Sequence, residues 1–382
     1  MGNVLNTQLQ LRPCSGCGAC QLSCPHSCIV MKINSDGFVR PYIDDSCKQC
    51  GLCVKTCFKF EQLTPETEKF WENKKIFSFK NKDSKVLLQS SSGGFIGALY
   101  KKYLNLGYTV CGAVYDTHEN VVRHKAVITS DDITSLLGSK YLPSLTNEVF
   151  KQIKEDKKGK YVFVGTPCQI YGIHKWAATN KRREQFILID FFCAGVPSYN
   201  LWKTYLKEIN DKYTLGDILS ISFRDKVESD WHHYGIRIKG SKGIYYQSNA
   251  ASKDSFFKIF LSDSCKQLSC SNHNCFFRTA YCFSDIRIGD FWGNKFLDDS
   301  TGVSVVIANT TRGESVLSEF TDLINESGIQ VFDLKEPQKV RDTVMKALKN
   351  GEKMEKILSI IEHPTLYIKI KNIFKRLYNE KK

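Results

Sequence analysis

No apolar run in this 382-residue chain approaches the roughly 18 residues of a membrane-spanning helix, so no transmembrane segment is expected. Met1–Leu11 has neither a basic stretch nor an apolar one, and no secretory signal is expected. Asn6 stands where the myristoylation pattern needs Ser or Thr. The chain has no Gly-x-Gly-x-x-Gly fingerprint, which weakens direct NAD(P)H use without excluding it. It also has no Ser-His-Asp or paired-carboxylate arrangement of a hydrolase and no low-complexity tract. With 42% hydrophobic and 25% charged residues, the chain can bury a core over most of its length, in two or three domains. These absences together predict a cytoplasmic protein. In that reducing setting the 16 cysteines point to metal or redox roles rather than disulfides.

Nine of the cysteines fall between Cys14 and Cys57, and their spacing repeats. Cys14, Cys17, Cys20 and Cys24 follow C-x2-C-x2-C-x3-C with Pro25 next. Cys47, Cys50, Cys53 and Cys57 do the same, with Phe58 in place of the proline. This is the bacterial ferredoxin spacing for two [4Fe–4S] clusters, in which the fourth cysteine of each run reaches the other cluster. Cys14, Cys17, Cys20 and Cys57 are therefore assigned to one cluster, and Cys47, Cys50, Cys53 and Cys24 to the second. Structural zinc fits this spacing poorly, because zinc knuckles use paired C-x2-C units. A zinc-dependent nucleic-acid binder, which the pI near 9.0 brings to mind, is set aside for the same reason, and no nucleic-acid partner is expected. Gly16, Gly18 and Gly51 suit turns whose N–H groups face sulfur. Cys28, Cys111, Cys265 and Cys282 are read as spectators.

The remaining chain predicts an α/β (mixed α+β) protein. Residues 63–85 are polar and lysine-rich and read as a linker. Ser92-Gly93-Gly94 precedes a helical pattern through Phe95, Leu99, Tyr100 and Tyr103 that stops at Gly107. Such a run is either a plain helix cap or a phosphate cradle. Thr109–Tyr115 and Val121–Ile128 read as paired strands. Tyr161–Val164 and Phe186–Phe192, separated by a helix, read as parallel neighbours. Cys168 and Cys193 then lie past the carboxyl ends of these strands, where α/β sheets place ligands. Gly302–Ala308 reads as a further core strand.

Several short motifs occur in a fixed order: Ser92-Gly93-Gly94, Gly138-Ser139-Lys140-Tyr141, Gly165-Thr-Pro-Cys-Gln169, Cys193-Ala-Gly-Val-Pro-Ser198, Ser222-Phe-Arg-Asp-Lys226 and Gly289-Asp-Phe-Trp-Gly293. Together with the cysteine-rich head, this order resembles the coenzyme F420 hydrogenase/dehydrogenase beta-subunit family over about residues 10–330. The resemblance implies a two-cluster ferredoxin-like domain (1–62), the linker (63–85), an α/β flavoprotein core with a parallel or mixed sheet (86–155 and 156–330) and a basic helical tail (331–382). It implies FAD and a third [4Fe–4S] cluster held by Cys168, Cys193, Cys270 and Cys275. Here the later cysteine pair is spaced wider than in the family, and His273 stands at the usual spacing, so the fourth ligand stays open between Cys275 and His273. Lys266 stands where the family more often has arginine. Ser92, Gly93, Gly94, Lys140, Arg224 and Lys226 become candidate cofactor-binding residues. Asp290 and Trp292 are candidates for shaping the flavin pocket.

The implied activity is an iron–sulfur flavoprotein oxidoreductase. It would pass electrons between a hydride donor or acceptor, F420 or another reducible small molecule, and one-electron carriers, with FAD as the adapter between two-electron and one-electron chemistry. Some relatives are encoded beside polysaccharide assembly genes, so that context stays open. The alternative is a non-enzymatic electron-transfer subunit relaying to a partner enzyme. The expected partner is a redox protein or a small hydride carrier. No catalytic residue is assigned: His232-His233 is read either as a surface pair or as a donor near substrate. Residues 365–382 form a basic amphipathic segment that either docks on its own domain or touches the inner face of a membrane. The formal net charge of +14 falls to roughly +8 once three clusters of about −2 each are counted, so part of it compensates the chain's own cofactors.

Overall fold

The computed structural model describes residues 2–8, 10–62, 74–226, 230–270, 274–275, 277, 281–292, 294–326 and 340–363. The basic segment 365–382, His273 and Gly293 lie outside these residues.

The head is built by repetition. Gly18, at φ 79°, opens the short helix α1 (Ala19–Ser23). The antiparallel hairpin β1 (Ile29–Ile33) and β2 (Val39–Ile43) follows. Gly51, at φ 77°, then opens α2 (Leu52–Thr56). Glycine enters this left-handed region without steric cost, so each cysteine run can make the same tight turn. Each helix ends on an extended cysteine, Cys24 or Cys57. The spacing repeat is thus a conformational repeat.

The core begins with β3 (Lys75–Phe79), α3 (Ser84–Gln89), α4 (Phe95–Asn105), β4 (Thr109–Asp116) and β5 (Val121–Val127). Then come α5 (Ile133–Leu136), β6 (Ser144–Leu145), α6 (Asn147–Glu155), β7 (Tyr161–Val164), α7 (Pro167–Thr179), β8 (Phe186–Phe191) and α8 (Tyr199–Tyr213). A small antiparallel sheet of β9 (Ile218–Asp225), β10 (Gly235–Gly240) and β11 (Tyr245–Gln247) precedes α9 (Ser255–Leu261). The described chain closes with β12 (Ile286–Asp290), β13 (Ser304–Ala308), α10 (Thr311–Ser318), β14 (Ile324–Glu326), α11 (Arg341–Lys349) and α12 (Met354–Glu362).

Among the described residues the large sheet has nine strands, in the order β14-β3-β13-β12-β8-β7-β4-β5-β6. Its centre, β12-β8-β7-β4, is parallel, and the β13-β12 and β4-β5 pairs are antiparallel. The fold is therefore mixed α/β, with β7 and β8 parallel neighbours as the strand–helix–strand pattern predicts. Both strands are buried on both faces, which is why they read as continuous apolar runs rather than as alternation. Pro167 opens α7, where its missing N–H costs nothing, and Thr166 N–H donates to Gln169 Oε1 at 3.0 Å across that first turn.

One expectation is corrected. The polar segment 63–85 holds strand β3 from Lys75, paired with both β13 and β14, and the start of α3 at Ser84. The strand's apolar content is short and flanked by Lys75 and Lys80, so composition hides it. Antiparallel pairing on both sides supplies what propensity does not.

The head packs directly on the core. A Cβ at Gly172 of α7 would lie 2.7 Å from Ala19 Cβ, so α1 crosses α7 at near backbone contact. Asn147 pairs with Met31 through two 2.9 Å hydrogen bonds to its main chain, and Tyr199 N–H donates to Gly37 O at 2.8 Å.

His124 on β5 gives the core an acid-sensitive point. Its ring is stacked on Phe163 at 4.9 Å, and its two nitrogens bond to Ser144 Oγ at 2.7 Å and Val164 O at 3.0 Å. Burial pushes its pKa down to about 4. The unfolded chain takes this proton near 6.5 and the folded chain does not, so stability falls as pH drops below about 6.5 and the loss ends near 4. The expected loss is on the order of 3 kcal/mol. Urea unfolding at about pH 7.5 and about pH 4.5 should show His124→Gln losing less than the parent between the two; equal losses would contradict the assignment.

Candidate functional site

The head gathers its thiols in two groups. Cys20 is pushed well up by burial first and then by Cys17, Cys14, Cys57 and Cys53 around it. Burial likewise raises Cys57, to about 12, with Cys17 and Cys14 as its thiol neighbours. Gly16 N–H points at Cys14 Sγ at 3.4 Å, as the tight-turn reading anticipates. In the second group burial raises Cys53, with Cys24 and Cys50 beside it. Asn3 Nδ2 donates to Cys47 Sγ at 3.7 Å. Cys28, read from sequence as a spectator, lies inside this second group: its Sγ is 3.3 Å from Cys24 Sγ. Spacing could not show this, because Cys28 falls outside the repeating pattern and is brought in by the entry into β1. Cys111 and Cys265 are fully buried in apolar surroundings, and Cys282 Sγ lies 2.9 Å from Ser284 Oγ.

A third set of thiols sits at the carboxyl edge of the parallel strands. Cys168 opens α7 after β7, Cys193 follows β8, and both line one cavity with Cys270 and Cys275. Cys17 of the head lines the same cavity. Burial pushes Cys168 well up, with Cys17 the next contributor and Cys193 and Cys270 also near. Two donors face these sulfurs, Gly195 N–H at 3.4 Å from Cys193 Sγ and Gln267 Nε2 at 3.5 Å from Cys270 Sγ, and Thr166 Oγ1 lies 3.2 Å from Cys168 Sγ. Gln267 also donates to Ser15 O at 2.8 Å and accepts from Arg40 Nη1 at 3.0 Å, joining head and core beside the cavity. Cysteines with N–H donors beside their sulfurs are the residue chemistry an iron–sulfur site uses.

The remaining candidate residues form a second neighbourhood. Lys226 Nζ donates to Ser92 O at 3.1 Å and Thr301 O at 2.7 Å, and burial pushes its pKa down to about 8. Ser92 Oγ donates to Val303 O at 2.6 Å, and a Cβ at Gly93 would lie 2.1 Å from Phe79 O. Ser92 and Gly93 are therefore explained by packing against β3 and β13, while Gly94, at φ 78°, caps α4. Ser139 N–H donates to Ser91 Oγ at 2.6 Å, which brings the Gly138–Tyr141 loop alongside. Lys140 turns its ammonium to Ser135 O and Leu137 O at the end of α5, and burial lowers its pKa to about 7.

Arg224 pairs with Asp290, and its guanidinium lies 4.2 Å from the Tyr234 ring centre. Its Nε and Nη2 are buried without a partner among the described residues, as are Trp231 Nε1 and His232 Nε2. Trp231 stacks on Trp292 at 4.5 Å, and His232 packs against both. His233 turns outward and bonds to Asp230, so the histidine pair is divided rather than a surface pair. Lys266 pairs with Asp263.

Residues 158–330 match the family model for the C-terminal part of the beta subunit of coenzyme F420 hydrogenase/dehydrogenase. Over this part the chain is similar to the coenzyme F420 hydrogenase/dehydrogenase beta subunits. It is 22% identical over 305 residues to a subunit of the F(420)H(2) dehydrogenase of Methanosarcina mazei, covering 76% of this chain and 80% of that protein. It is 25% identical over 233 residues to an uncharacterised protein of Methanocaldococcus jannaschii, covering 52% and 63%. The PorD subunit of the pyruvate synthase of Thermotoga maritima is 35% identical over 66 residues, 17% of this chain and 64% of that protein. Among solved structures, a chain of the F420-reducing [NiFe] hydrogenase complex from Methanosarcina barkeri aligns with a TM-score of 0.45 at 17% identity, over 75% of this chain and 91% of the other.

The four core cysteines named from sequence share one cavity, and the six candidate cofactor residues fall around the Ser91–Arg224 neighbourhood. Gln267 escaped sequence reading because nothing in its local pattern marks it. Asp190 and Arg287 were legible in principle, being charges inside the apolar strands β8 and β12 that must pair when buried. No helix among the described residues is long and apolar enough to cross a membrane.

Proposed function

We propose that this chain is an iron–sulfur electron-transfer oxidoreductase that passes electrons between a hydride carrier at a flavin and one-electron clusters in its head. The observation that carries this reading is the cavity where Cys168, Cys193, Cys270 and Cys275 meet Cys17 of the head. It puts the core thiols against the first head group, which adjoins the second group, where Cys50 is exposed. Three contiguous thiol sets make a path from the core cavity to the surface at Cys50. The likeness to part of an F(420)H(2) dehydrogenase favours reduced F420 as the hydride carrier.

FAD, when bound, would supply the exchange between two-electron and one-electron chemistry. The residues present fit an anionic cofactor. Arg224 keeps two buried donors unused while Asp290 fixes its orientation, and Lys226 adds a second cation beside the N-terminus of α4. Trp231 stacks on Trp292 beside Arg224, and His232 Nε2 is buried against these rings without a partner among the described residues. The loop from Ser139 to Ser144 links this neighbourhood to the thiol cavity: Ser139 bonds Ser91, while Pro143 and Ser144 line the cavity.

Anaerobic reconstitution with iron, sulfide and FAD tests the reading. About 12 iron atoms and about one flavin per chain are expected, with flavin bands over a broad iron–sulfur shoulder. Reduced F420 should bleach the flavin. A colourless zinc protein would overturn the reading. A flavin that no hydride donor bleaches would instead leave an electron relay without its own substrate.

A further inference from the structure

The second head group holds more thiols than a cluster needs. Cys24, Cys47, Cys50 and Cys53 already supply the four ligands of one [4Fe–4S] unit in the proposed function, on which this inference rests. Cys28 is a fifth. Its Sγ lies 3.3 Å from Cys24 Sγ, and Cys47 is a further thiol neighbour. It is 3% exposed, so no solvent competes for it.

The surrounding chain holds both thiols in place. Cys24 is the extended residue that ends α1, and Lys154 Nζ of α6 grips its carbonyl at 2.6 Å. Cys28 directly precedes β1, and its carbonyl accepts from Asp44 N–H at 3.1 Å at the end of β2. The three residues between them, Pro25, His26 and Ser27, are exposed, with Ser27 at φ 55° completing a reversal of the chain. That reversal turns both sulfurs to the same side. An inert buried cysteine needs no such arrangement, and Cys111, set among apolar side chains, shows what one looks like in this protein.

We infer that Cys24 and Cys28 are interchangeable ligands of the second head cluster. In the exchange the iron–Sγ bond to Cys24 breaks as one to Cys28 forms. The Cys28 proton passes across the 3.3 Å contact to the departing Cys24 thiolate. No electron is gained or lost. A head exposed at Cys50 can thereby keep its outermost cluster when one ligand is damaged.

The test uses the full-length protein reconstituted anaerobically, as parent, Cys24→Ala, Cys28→Ala and the double variant. Iron and sulfide are counted, and electron paramagnetic resonance spectra of the reduced proteins are recorded. Each single variant should keep the parent's iron, with Cys24→Ala showing a shifted signal from one head cluster. The double variant should lose about 4 of about 12 iron atoms. The iron it retains in the first head cluster and the core reports that the head is still folded. If the double variant fails to fold, the single variants alone decide. Loss of about 4 iron atoms in either single variant would overturn interchangeability. A parent without iron would overturn the underlying reading instead.

Discussion

Cys168→Ala is expected to remove about 4 of about 12 iron atoms while leaving both head clusters loaded. Cys168 sits at the first turn of α7, deep in the shared cavity, with Cys17, Cys193 and Cys270 as its charged neighbours once deprotonated. In the proposed electron path, losing Cys168 removes the step between the Arg224 neighbourhood and the head. Reduction of the head by a hydride donor should therefore slow by ~100-fold or more, since even outer groups around metal sites cost up to that. Bleaching of the flavin should continue, because none of the residues around Arg224 is changed. Stopped-flow absorbance separates the two events. Cys111→Ala is the control, since Cys111 is buried but lies apart among apolar side chains. Full iron and an unchanged rate in Cys168→Ala would refute the core site. Cys275→Ala asks the matching question of the fourth ligand, for which His273 is the competitor.

Asp190→Asn is expected to destabilise the fold by ~3–5 kcal/mol. Asp190 on β8 and Arg287 on β12 face each other across the parallel ladder, and both are 1% exposed. The pair is bidentate, with Nε to Oδ1 at 2.8 Å and Nη2 to Oδ2 at 2.7 Å, and Arg287 also donates to Phe277 O at 3.1 Å. Two charges this deep are tolerable because each satisfies the other; removing one leaves a buried guanidinium uncompensated. The melting temperature should fall by roughly 5–10 °C. Replacing both partners, Asp190→Leu with Arg287→Met, should recover most of that loss, because neither charge then needs a partner. A shift of less than about a degree in Asp190→Asn would show that the pair contributes little. Phe277 and Cys193 lie beside this pair, so part of the core site's rigidity rests on it.

The sequence was most informative where chemistry demands fixed spacing. Three-residue steps between Cys14, Cys17 and Cys20, and again between Cys47, Cys50 and Cys53, leave few ways to fold other than tight glycine turns, and Gly16, Gly18 and Gly51 adopt them. The apolar runs of β7 and β8 were equally legible, because strands buried on both faces cannot carry alternation. Strand β3 was not legible, since its pairing partners come from residues more than two hundred positions later. The Ser92–Gly94 run shows the opposite case. It reads as either a helix cap or a phosphate cradle, yet Ser92 and Gly93 are accounted for by contacts to Val303 and Phe79 that no local pattern reveals.

The repeated cysteine spacing of the head and the parallel β7–β8 pair were legible in the sequence itself, through spacing and burial pattern, which act over a few residues. Only the tertiary structure decided that Cys28 joins the second thiol group, that Cys17 reaches the core cavity, and that His232 turns inward while His233 does not. These depend on where the chain reverses and on which surfaces pack. Such contacts arise from close packing between elements distant in sequence, where a side chain's neighbours are set by the fold rather than by the residues next to it.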